Sequence, residues 1–432
     1  MSLWFLFGAV FLLAILQVPI SISMLAGALL WMLLDGGLPI SIVAQRMAPS
    51  LDSFPLLAVP LFVLAGNLLN RSGIAERIFE FAGNLVGHIR GGLAHVNILA
   101  SLIFSGMSGV AQADAAGLGT VEIKAMKKAG YSSEFSAAIT AVSAIIGPII
   151  PPSVIMVIYA VLAGVSVADL FLAGIVPGLI LTLALSVTTY LIAFRQGDKM
   201  PRSPRASFSM VASSFWRALP GLLAPTILIA GLLLGIATPT ELGAIIVLYA
   251  VLLGLIYGEL KLRDIKLCLA DTVITTGVLL FIIAAAAPFA WLIAVLNVPQ
   301  HLAGGITGLT TDFVLTLLLI NVGLLIAGLF IETTAILIVA VPALLPIAMQ
   351  IGLDPVQFGV MIVFNLMIGT LTPPFGIILF IMMDIAKVRL FPLMRQVTPF
   401  YASLFGMLGL ITFVPTVTLW LPGLVRTMLA GN

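Results

Sequence analysis

Charged residues are scarce in this sequence, and their scarcity limits the class of protein. Only 8% of the 432 residues are Asp, Glu, Lys or Arg, whereas a soluble globular domain carries about 25%. Hydrophobic residues make up 61% of the chain. A soluble fold of this length cannot bury so much apolar surface, so we expect an all-α polytopic membrane protein.

Cysteine and a strong net charge are also missing. The single cysteine, Cys268, excludes an internal disulfide bond and a cysteine-based metal site. A net charge of +2 is too small to indicate a nucleic acid partner. We find no Ser–His or paired-Asp pattern at membrane depth that would indicate an intramembrane enzyme, so the chain is not expected to be an enzyme.

Two proline pairs interrupt hydrophobic segments that would otherwise form continuous helices. Both motifs read G-x-x-x-P-P, at Gly147–Pro152 and at Gly369–Pro374. Proline costs about 3 kcal/mol in a helix interior because it lacks an N–H and clashes with the preceding turn. One such pair alone indicates a simple kink as readily as a site. Two pairs at matching places in two halves indicate a transporter binding site between structural repeats.

The hydrophobic segments follow the same order in two halves, residues 1–194 and residues 218–432, which a polar linker, residues 195–217, connects. Each half is predicted to contain scaffold helices, a re-entrant hairpin made of two short apolar segments, and a proline-broken helix. In chain order, the predicted hairpins and broken helices occupy residues 93–121, 135–163, 313–350 and 356–385.

Polar stretches are expected to be connectors between these segments. One connector carries Arg46, and further predicted loops include Glu259–Lys266, Asn297–Thr311 and Lys387–Arg395. The last membrane span is expected at Pro399–Leu421. Apolar residues at helical spacing between Arg71 and Arg90 predict an interfacial amphipathic helix.

The positions of Lys and Arg predict the topology, because both residues accumulate in cytoplasmic connectors. The linker is placed inside, since Asp198 alone opposes Arg195, Lys199, Arg202, Arg205 and Arg217. Counting from it places three further loops inside: Lys124–Lys128, Lys261–Lys266 and Lys387–Arg395. The loops left outside hold no Lys or Arg: Ala163–Ala168, Asn297–Thr311 and Gly352–Pro355. The two broken helices then run in opposite directions, which predicts inverted-topology repeats, ten crossings and both termini outside.

The breaks and the hairpin tips together predict two sodium sites. Unwound carbonyls and C-terminal ends of half-helices bind Na⁺, whereas N-terminal ends favour an anion such as a carboxylate. The tips are expected at Ser105–Gly109 and Ile331–Thr334. The predicted ligands of the first site are Ser105, Ser108, Gly147 and Pro151. Those of the second site are Thr333, Gly369, Thr372 and Pro373.

Three further residues are candidate substrate contacts: Ser153, Glu332 and Arg46. Glu332 lies at the second tip, and charges buried in membranes are functional by default. The structural alternative, for Glu332 and for Asp114 in the first hairpin, is that the carboxylate caps a half-helix. Arg46 is the external cation that an anionic substrate or partner would meet, or else a solvated connector residue. Glu241 is expected to be structural, at the start of a helix.

Several of these motifs, in their order and spacing, resemble the large membrane subunit of tripartite ATP-independent periplasmic (TRAP) transporters. The resemblance covers essentially the whole chain and is carried by Ala44–Phe62, Arg90–Asn97, Ser105–Gly109, Gly147–Ser153, Thr238–Glu241, Gly352–Pro355 with Phe358-Gly359, and Thr372–Pro374. It implies two partners, a small four-helix membrane subunit on a separate polypeptide and a periplasmic substrate-binding protein. It also implies a location in the bacterial inner membrane.

The same resemblance implies a mechanism. A transport domain built from both hairpins and both broken helices would move like an elevator against the remaining helices. A Na⁺ gradient would drive import of organic acids such as C4-dicarboxylates or sialic acids. No ATP or organic cofactor is implied, which fits the absence of a G-x-x-x-x-G-K-[ST] phosphate loop. The alternative is a Na⁺/dicarboxylate or citrate symporter of similar architecture that needs no binding protein. A passive channel fits paired re-entrant sites less well.

Overall fold

A computed structural model describes residues 3–16, 18–35, 37–197, 200–309, 312–374 and 376–430, and no strand occurs among them. Asp198 and Lys199 of the linker, Thr311 of the predicted outer loop and both chain termini lie outside the described residues. In the first half the helices are α1 (Leu3–Ile15), α2 (Ile20–Asp35), α3 (Ser41–Leu51), α4 (Ala58–Arg71), α5 (Ile74–Val86), α6 (Gly92–Ser108), α7 (Ala111–Lys128), α8 (Ser133–Ser143), α9 (Val154–Ala163) and α10 (Val167–Gln196).

The second half continues the all-helical architecture. Its helices are α11 (Phe208–Leu233), α12 (Pro239–Ile256), α13 (Leu262–Val295), α14 (Val298–Leu309), α15 (Phe313–Gly328), α16 (Thr333–Gln350), α17 (Pro355–Gly369), α18 (Ile377–Ala386), α19 (Leu390–Val397), α20 (Tyr401–Phe413) and α21 (Pro415–Ala430). Within the described chain, seven helical segments are long and apolar enough to cross a membrane. The predicted class, an all-α integral membrane protein, is confirmed.

Several predicted connectors are wrong, because they are helical. Arg46 lies on α3, and the predicted loop at Lys124–Lys128 is the last turn of α7. The loop at Glu259–Lys266 ends where α13 begins at Leu262, and Asn297–Thr311 contains α14. The short helix α19 occupies most of the basic loop at Lys387–Arg395. Each of these segments alternates polar and apolar residues, and α19 buries Leu393 and Val397 on one face.

The predicted last span, Pro399–Leu421, is also wrong. Helix α20 ends at Phe413, and α21 starts at Pro415 and continues to Ala430. Proline has no N–H to continue the hydrogen bonds of α20, but its fixed φ suits the first position of a new helix. The chain therefore bends at Val414, inside a stretch that is apolar throughout.

The charged connectors meet at one end of the helical bundle. The Tyr131 hydroxyl, between α7 and α8, donates to the Pro201 carbonyl of the linker at 2.5 Å. Burial raises the pKa of this hydroxyl to about 12, so it remains a donor at neutral pH. At the same end, the Arg77 guanidinium of α5 lies 4.0 Å from the ring centroid of Tyr257, which follows α12. The linker and the loops on either side of it therefore share one end.

The other end collects connectors that the sequence places on the opposite side. Arg426 of α21 forms an ion pair of 2.6 Å with Asp169 in the first turn of α10. A cavity of about 600 Å³ there is lined by Phe54 and by the connectors at residues 165–169 and 235–241. The length of α10, 30 residues, separates the two ends by about 45 Å. The connectors at each end are those that the positions of Lys and Arg place on one side of the membrane. Which end faces the cytoplasm stays a prediction.

The proline-broken helices form the centre of the molecule. Every residue of α17 from Val356 to Gly369 is buried, as are Phe135–Ser143 of α8 and Val154–Ala160 of α9. Around them pack the paired helices α6 and α7, α15 and α16, and the long helix α10. The first break, residues 144–153, is buried throughout, as a membrane-embedded break requires. The second break is buried at residues 369–371 and reaches the surface at Pro374.

Candidate functional site

The first predicted helix break is confirmed. Helix α8 ends at Ser143, one 3₁₀ turn follows, and no helix forms again until Val154. Ser153 closes the break, because its hydroxyl donates to the Pro148 carbonyl at 2.6 Å and accepts the Met156 N–H at 3.3 Å. This candidate substrate residue is fully buried, and the bonds that it makes cap the N-terminus of α9.

The tip of the first hairpin lies directly against this break. The chain reverses at the end of the predicted range Ser105–Gly109, since α6 continues to Ser108 and the left-handed Gly109 ends it. Gly109 has φ +66°, and a Cβ there would overlap the Pro152 carbonyl oxygen. The Gly109 carbonyl accepts the Val154 N–H at 3.4 Å. Glycine is therefore required here both for its backbone conformation and for close approach to the break.

Asp114 connects the hairpin to the start of the break. The Ser108 hydroxyl donates to its carboxylate, and a Cβ on Gly147 would overlap its Oδ2 atom. The carboxylate is buried in the first turn of α7. Two predicted sodium ligands, Ser108 and Gly147, thus meet at an acidic side chain that the sequence analysis had not assigned to the site.

The other predicted ligands of the first site also lie on this surface. A Cβ on Gly106 would be 3.7 Å from the Pro151 carbonyl oxygen, so Pro151 faces the last turn of α6. The Ser105 hydroxyl is buried and donates to the Leu102 carbonyl at 2.6 Å. A hydroxyl that donates its hydrogen keeps lone pairs for a cation, so the bond to Leu102 is compatible with the predicted role.

The second break repeats the contact with its own hairpin. Helix α17 ends at Gly369 and α18 begins at Ile377. A Cβ on Gly369 would lie 2.9 Å from both the Cα and the carbonyl oxygen of Gly328, the last residue of α15. The backbone of the hairpin therefore packs directly on the backbone of the break. The two breaks also share a cis peptide bond, at Pro151–Pro152 and at Pro373–Pro374.

A small cavity lies between the second tip and the second break. Its volume is about 180 Å³, and it is lined by residues 328 and 330–333 of the hairpin and by Thr370 and Ile377 of the break. Its polar side chains are Glu332, Thr333 and Thr370. Since one water occupies about 30 Å³, the cavity can hold a partly hydrated ion or a carboxylate group.

Glu332 caps a helix, which is the structural alternative to its predicted contact with substrate. One carboxylate oxygen accepts the Ala335 N–H at 3.1 Å, and the other accepts the Thr334 hydroxyl at 2.9 Å. The residue is the N-cap of α16 and remains partly exposed to the cavity. Capping fixes the orientation of this carboxylate, and its predicted contact with substrate stays a prediction.

Thr372 and Arg46 point elsewhere. The Thr372 hydroxyl donates to the Ile368 carbonyl at 2.8 Å and lies 3.2 Å from the Tyr401 hydroxyl of α20. Thr370, which the sequence analysis missed, lines the cavity instead, whereas Pro373 does not line it. Arg46 lies on α3 with its guanidinium 5.3 Å from the ring centroid of Trp291 on α13. Arg46 thus packs against α13, which belongs to neither hairpin nor either break.

The structural role predicted for Glu241 is confirmed, since this residue forms a capping box at the start of α12. The Glu241 carboxylate accepts the Thr238 N–H at 2.7 Å, and the Glu241 N–H bonds the Thr238 hydroxyl oxygen at 3.3 Å. Both groups satisfy backbone donors that a helix start leaves free. This acid is therefore explained without a role in binding.

Comparison with known proteins gives consistent matches along the chain. Residues 7–417 match the family described as "Tripartite ATP-independent periplasmic transporter, DctM component". The sialic acid TRAP transporter large permease protein SiaM of Vibrio cholerae is 45% identical over 407 residues, which cover 94% of this chain and 95% of the relative. The C4-dicarboxylate TRAP transporter large permease protein DctM of Pseudomonas aeruginosa is 37% identical, covering 88% and 89% of the two chains.

The fold is also found in a solved structure of low sequence identity. The crystal structure of the Alcanivorax borkumensis YdaH transporter superposes with a TM-score of 0.61 over 86% of this chain and 88% of that chain. Only 17% of the aligned residues are identical. The likeness is therefore one of fold alone.

Proposed function

This chain belongs to the DctM family of TRAP transporter components, and from that premise we propose that it is the large membrane subunit of a Na⁺-coupled importer of organic acids. The observation that carries the proposal is the contact between each hairpin tip and a helix break, at Gly109 with Pro152 and at Gly328 with Gly369. Each contact brings carbonyl and hydroxyl oxygens together inside the molecule. Such oxygens suit a hard monovalent cation.

Two cation sites follow from the two contacts. In the first, Ser105, Ser108 and the carbonyls around Gly147 and Pro151 surround Na⁺, and Asp114 supplies the compensating charge. In the second, Thr333, Thr370 and the carbonyls at Gly369 surround it. Thr372 and Pro373 shape this second break from the side of α20. Binding at either site would stabilise the contact between tip and break, which couples the ion to the position of the hairpin.

An anionic substrate fits the same surfaces. The N-termini of α9 and α16 point towards the two breaks, capped by Ser153 and Glu332, and helix N-termini favour negative charge. The relatives are named for sialic acid and for C4-dicarboxylates, which are carboxylates. We propose that this chain carries an acid of the same class, selected by a periplasmic binding protein.

The movement is proposed to be of the elevator type, between two inverted repeats. The transport domain would contain α6–α9 and α15–α18, which hold both tips and both breaks. The other helices would form the scaffold, together with a small membrane subunit. Support comes from the position of the charged connectors, which gather at one end of the bundle as inverted halves in the inner membrane require.

Uptake by the reconstituted complex tests this function. We expect proteoliposomes that contain this chain and the small subunit to import the acid only with the binding protein outside and an inward Na⁺ gradient. Replacing Na⁺ by K⁺ should lower the initial rate by at least about tenfold, a difference of about 1.4 kcal/mol.

The control for this experiment is the chain without its binding protein. Full Na⁺-driven uptake under that condition would favour the symporter that needs no binding protein. Full uptake in K⁺ would contradict Na⁺ coupling. Equal rates with and without any ion gradient would indicate a passive channel.

A further inference from the structure

Glu122 is a buried acid that the proposed mechanism does not use. It lies on α7, two helical turns after Asp114, and only 1% of its surface is exposed. Neither carboxylate oxygen has a hydrogen-bond partner among the described residues. An ionised carboxylate in such a place is strongly disfavoured, because nothing replaces its hydration.

The surroundings of Glu122 are defined by the residues one turn before and one turn after it. Gly119 packs against the Thr140 methyl group of α8, where a Cβ would lie only 2.8 Å away. Met126 lies beside Asn97 of α6, with its sulfur 4.0 Å from the amide nitrogen. Since residues 119, 122 and 126 share one face of a helix, Glu122 points between α6 and α8.

The polar groups on that face are already engaged with one another. The Asn97 amide nitrogen donates to the Thr140 hydroxyl oxygen at 2.7 Å, and its carbonyl oxygen accepts the Ser143 hydroxyl at 2.7 Å. These bonds leave the Thr140 hydroxyl hydrogen as the remaining donor near Glu122. One hydroxyl and two carboxylate oxygens are too few to surround a cation that prefers six or more oxygen ligands.

No described residue forms an ion pair with Glu122, and the lysines of its own helix, Lys124, Lys127 and Lys128, are exposed. Asp114, on the same helix, has the same sign and is itself bonded by Ser108. The His95 ring nitrogen on α6 is bonded to the Arg90 carbonyl at 3.1 Å. The other ionisable side chains on the helices packed against α7 are Glu134 on α8, Asp384 on α18, and Glu76, Arg77 and Glu80 on α5.

We propose that Glu122 is a proton-binding site: in this conformation it is a neutral carboxylic acid held between α6, α7 and α8. The proton comes from solvent when the chain folds and returns to solvent when these helices separate. A neutral acid needs no counter-ion, so burying it without partners costs far less than burying an ionised carboxylate. The first hairpin then holds one proton in addition to any Na⁺ at its tip.

The test compares the stability of the full chain in detergent micelles with that of Glu122→Gln as a function of pH. An unfolded glutamate is ionised above about pH 5, so the folded chain holds one proton more. The unfolding equilibrium constant of the wild type relative to the variant should rise about tenfold for each pH unit between about pH 5 and pH 7. Glu134→Gln, on the partly exposed start of α8, should keep the pH dependence of the wild type.

Three outcomes would overturn the proposal. Parallel pH dependence in the wild type and Glu122→Gln would show that Glu122 takes up no proton on folding. A difference that follows Na⁺ concentration rather than pH would make Glu122 a cation ligand. If Glu122→Gln does not fold, infrared spectroscopy of the wild type decides. A protonated carboxyl band should be present at neutral pH and shift in Glu122→Asp but not in Asp114→Asn, and its absence would contradict the proposal.

Discussion

Replacing Gly109 by alanine is expected to abolish Na⁺-driven uptake by the reconstituted complex. The residue has φ +66°, and the new Cβ would overlap the Pro152 carbonyl oxygen, a backbone atom of the break. The left-handed conformation alone costs about 1–2 kcal/mol for a residue with a side chain. The overlap adds to this cost because the broken backbone is buried on all sides and cannot move away. We expect the initial rate to fall by more than about tenfold.

Gly164→Ala is the matched control for this variant. Gly164 ends α9 with the same φ of +66°, and a Cβ there would meet no atom within 4 Å. Gly164→Ala therefore measures the cost of placing alanine in the left-handed conformation, without any overlap with the break. Folded, monodisperse Gly109→Ala protein that transports as well as Gly164→Ala would show that the first tip and the first break need not touch.

Gly369→Ala is expected to produce the second large effect, at the other half-site. Its Cβ would lie 2.9 Å from two backbone atoms of Gly328, closer than carbon atoms approach without displacement. The hairpin end at α15 would have to move away from the break, which opens the cavity beside Glu332 and Thr370. We expect a loss of uptake of about tenfold or more and a higher Na⁺ concentration for the half-maximal rate.

The control for the second variant lies on the same hairpin arm. Gly323 of α15 would place a new Cβ in open space, with no atom within 4 Å. Gly323→Ala should retain the uptake rate and Na⁺ dependence of the wild type. Unchanged Na⁺ dependence in Gly369→Ala would show that the contact between Gly369 and Gly328 does not contribute to ion binding.

The helix breaks were predictable from sequence because proline excludes a continuous helix wherever it stands. Both G-x-x-x-P-P motifs interrupt helices in the structure, at Gly147–Pro152 and just after Gly369. The first hairpin turns at the end of the predicted tip, Ser105–Gly109, although the small polar residues from Ser105 onwards suggest a loop. Helical bonding continues to Ser108, and the left-handed Gly109 ends it.

The residues that complete the sites were harder to predict. Asp114 reaches Ser108 only because the chain reverses between them, and no periodic pattern reports a reversal of that kind. Thr370 and Thr372 are two residues apart, and sequence alone does not decide which one faces the cavity. In the structure it is Thr370, while Thr372 turns towards Tyr401. Such choices depend on how separate helices pack.

The amphipathic connectors show the same limit. Helices α3, α14 and α19 are short and carry polar faces, so a low local hydrophobicity indicated loops. Their apolar faces find partners only in the folded protein, as α3 does on α13. Tertiary packing supplies most of the stability of short helices, and this contribution is invisible in a single sequence.

The most direct test of the two proposed cation sites is the binding of radiolabelled Na⁺ to the purified chain. We expect saturable binding that excess K⁺ does not displace. Ser108→Ala and Thr370→Ala should each weaken one site by about tenfold, the effect of a lost oxygen contact worth about 1–1.5 kcal/mol. The double variant should lose most binding at Na⁺ concentrations that saturate the wild type. Undiminished Na⁺ binding in the double variant would contradict the assignment of sodium to the contacts between tips and breaks.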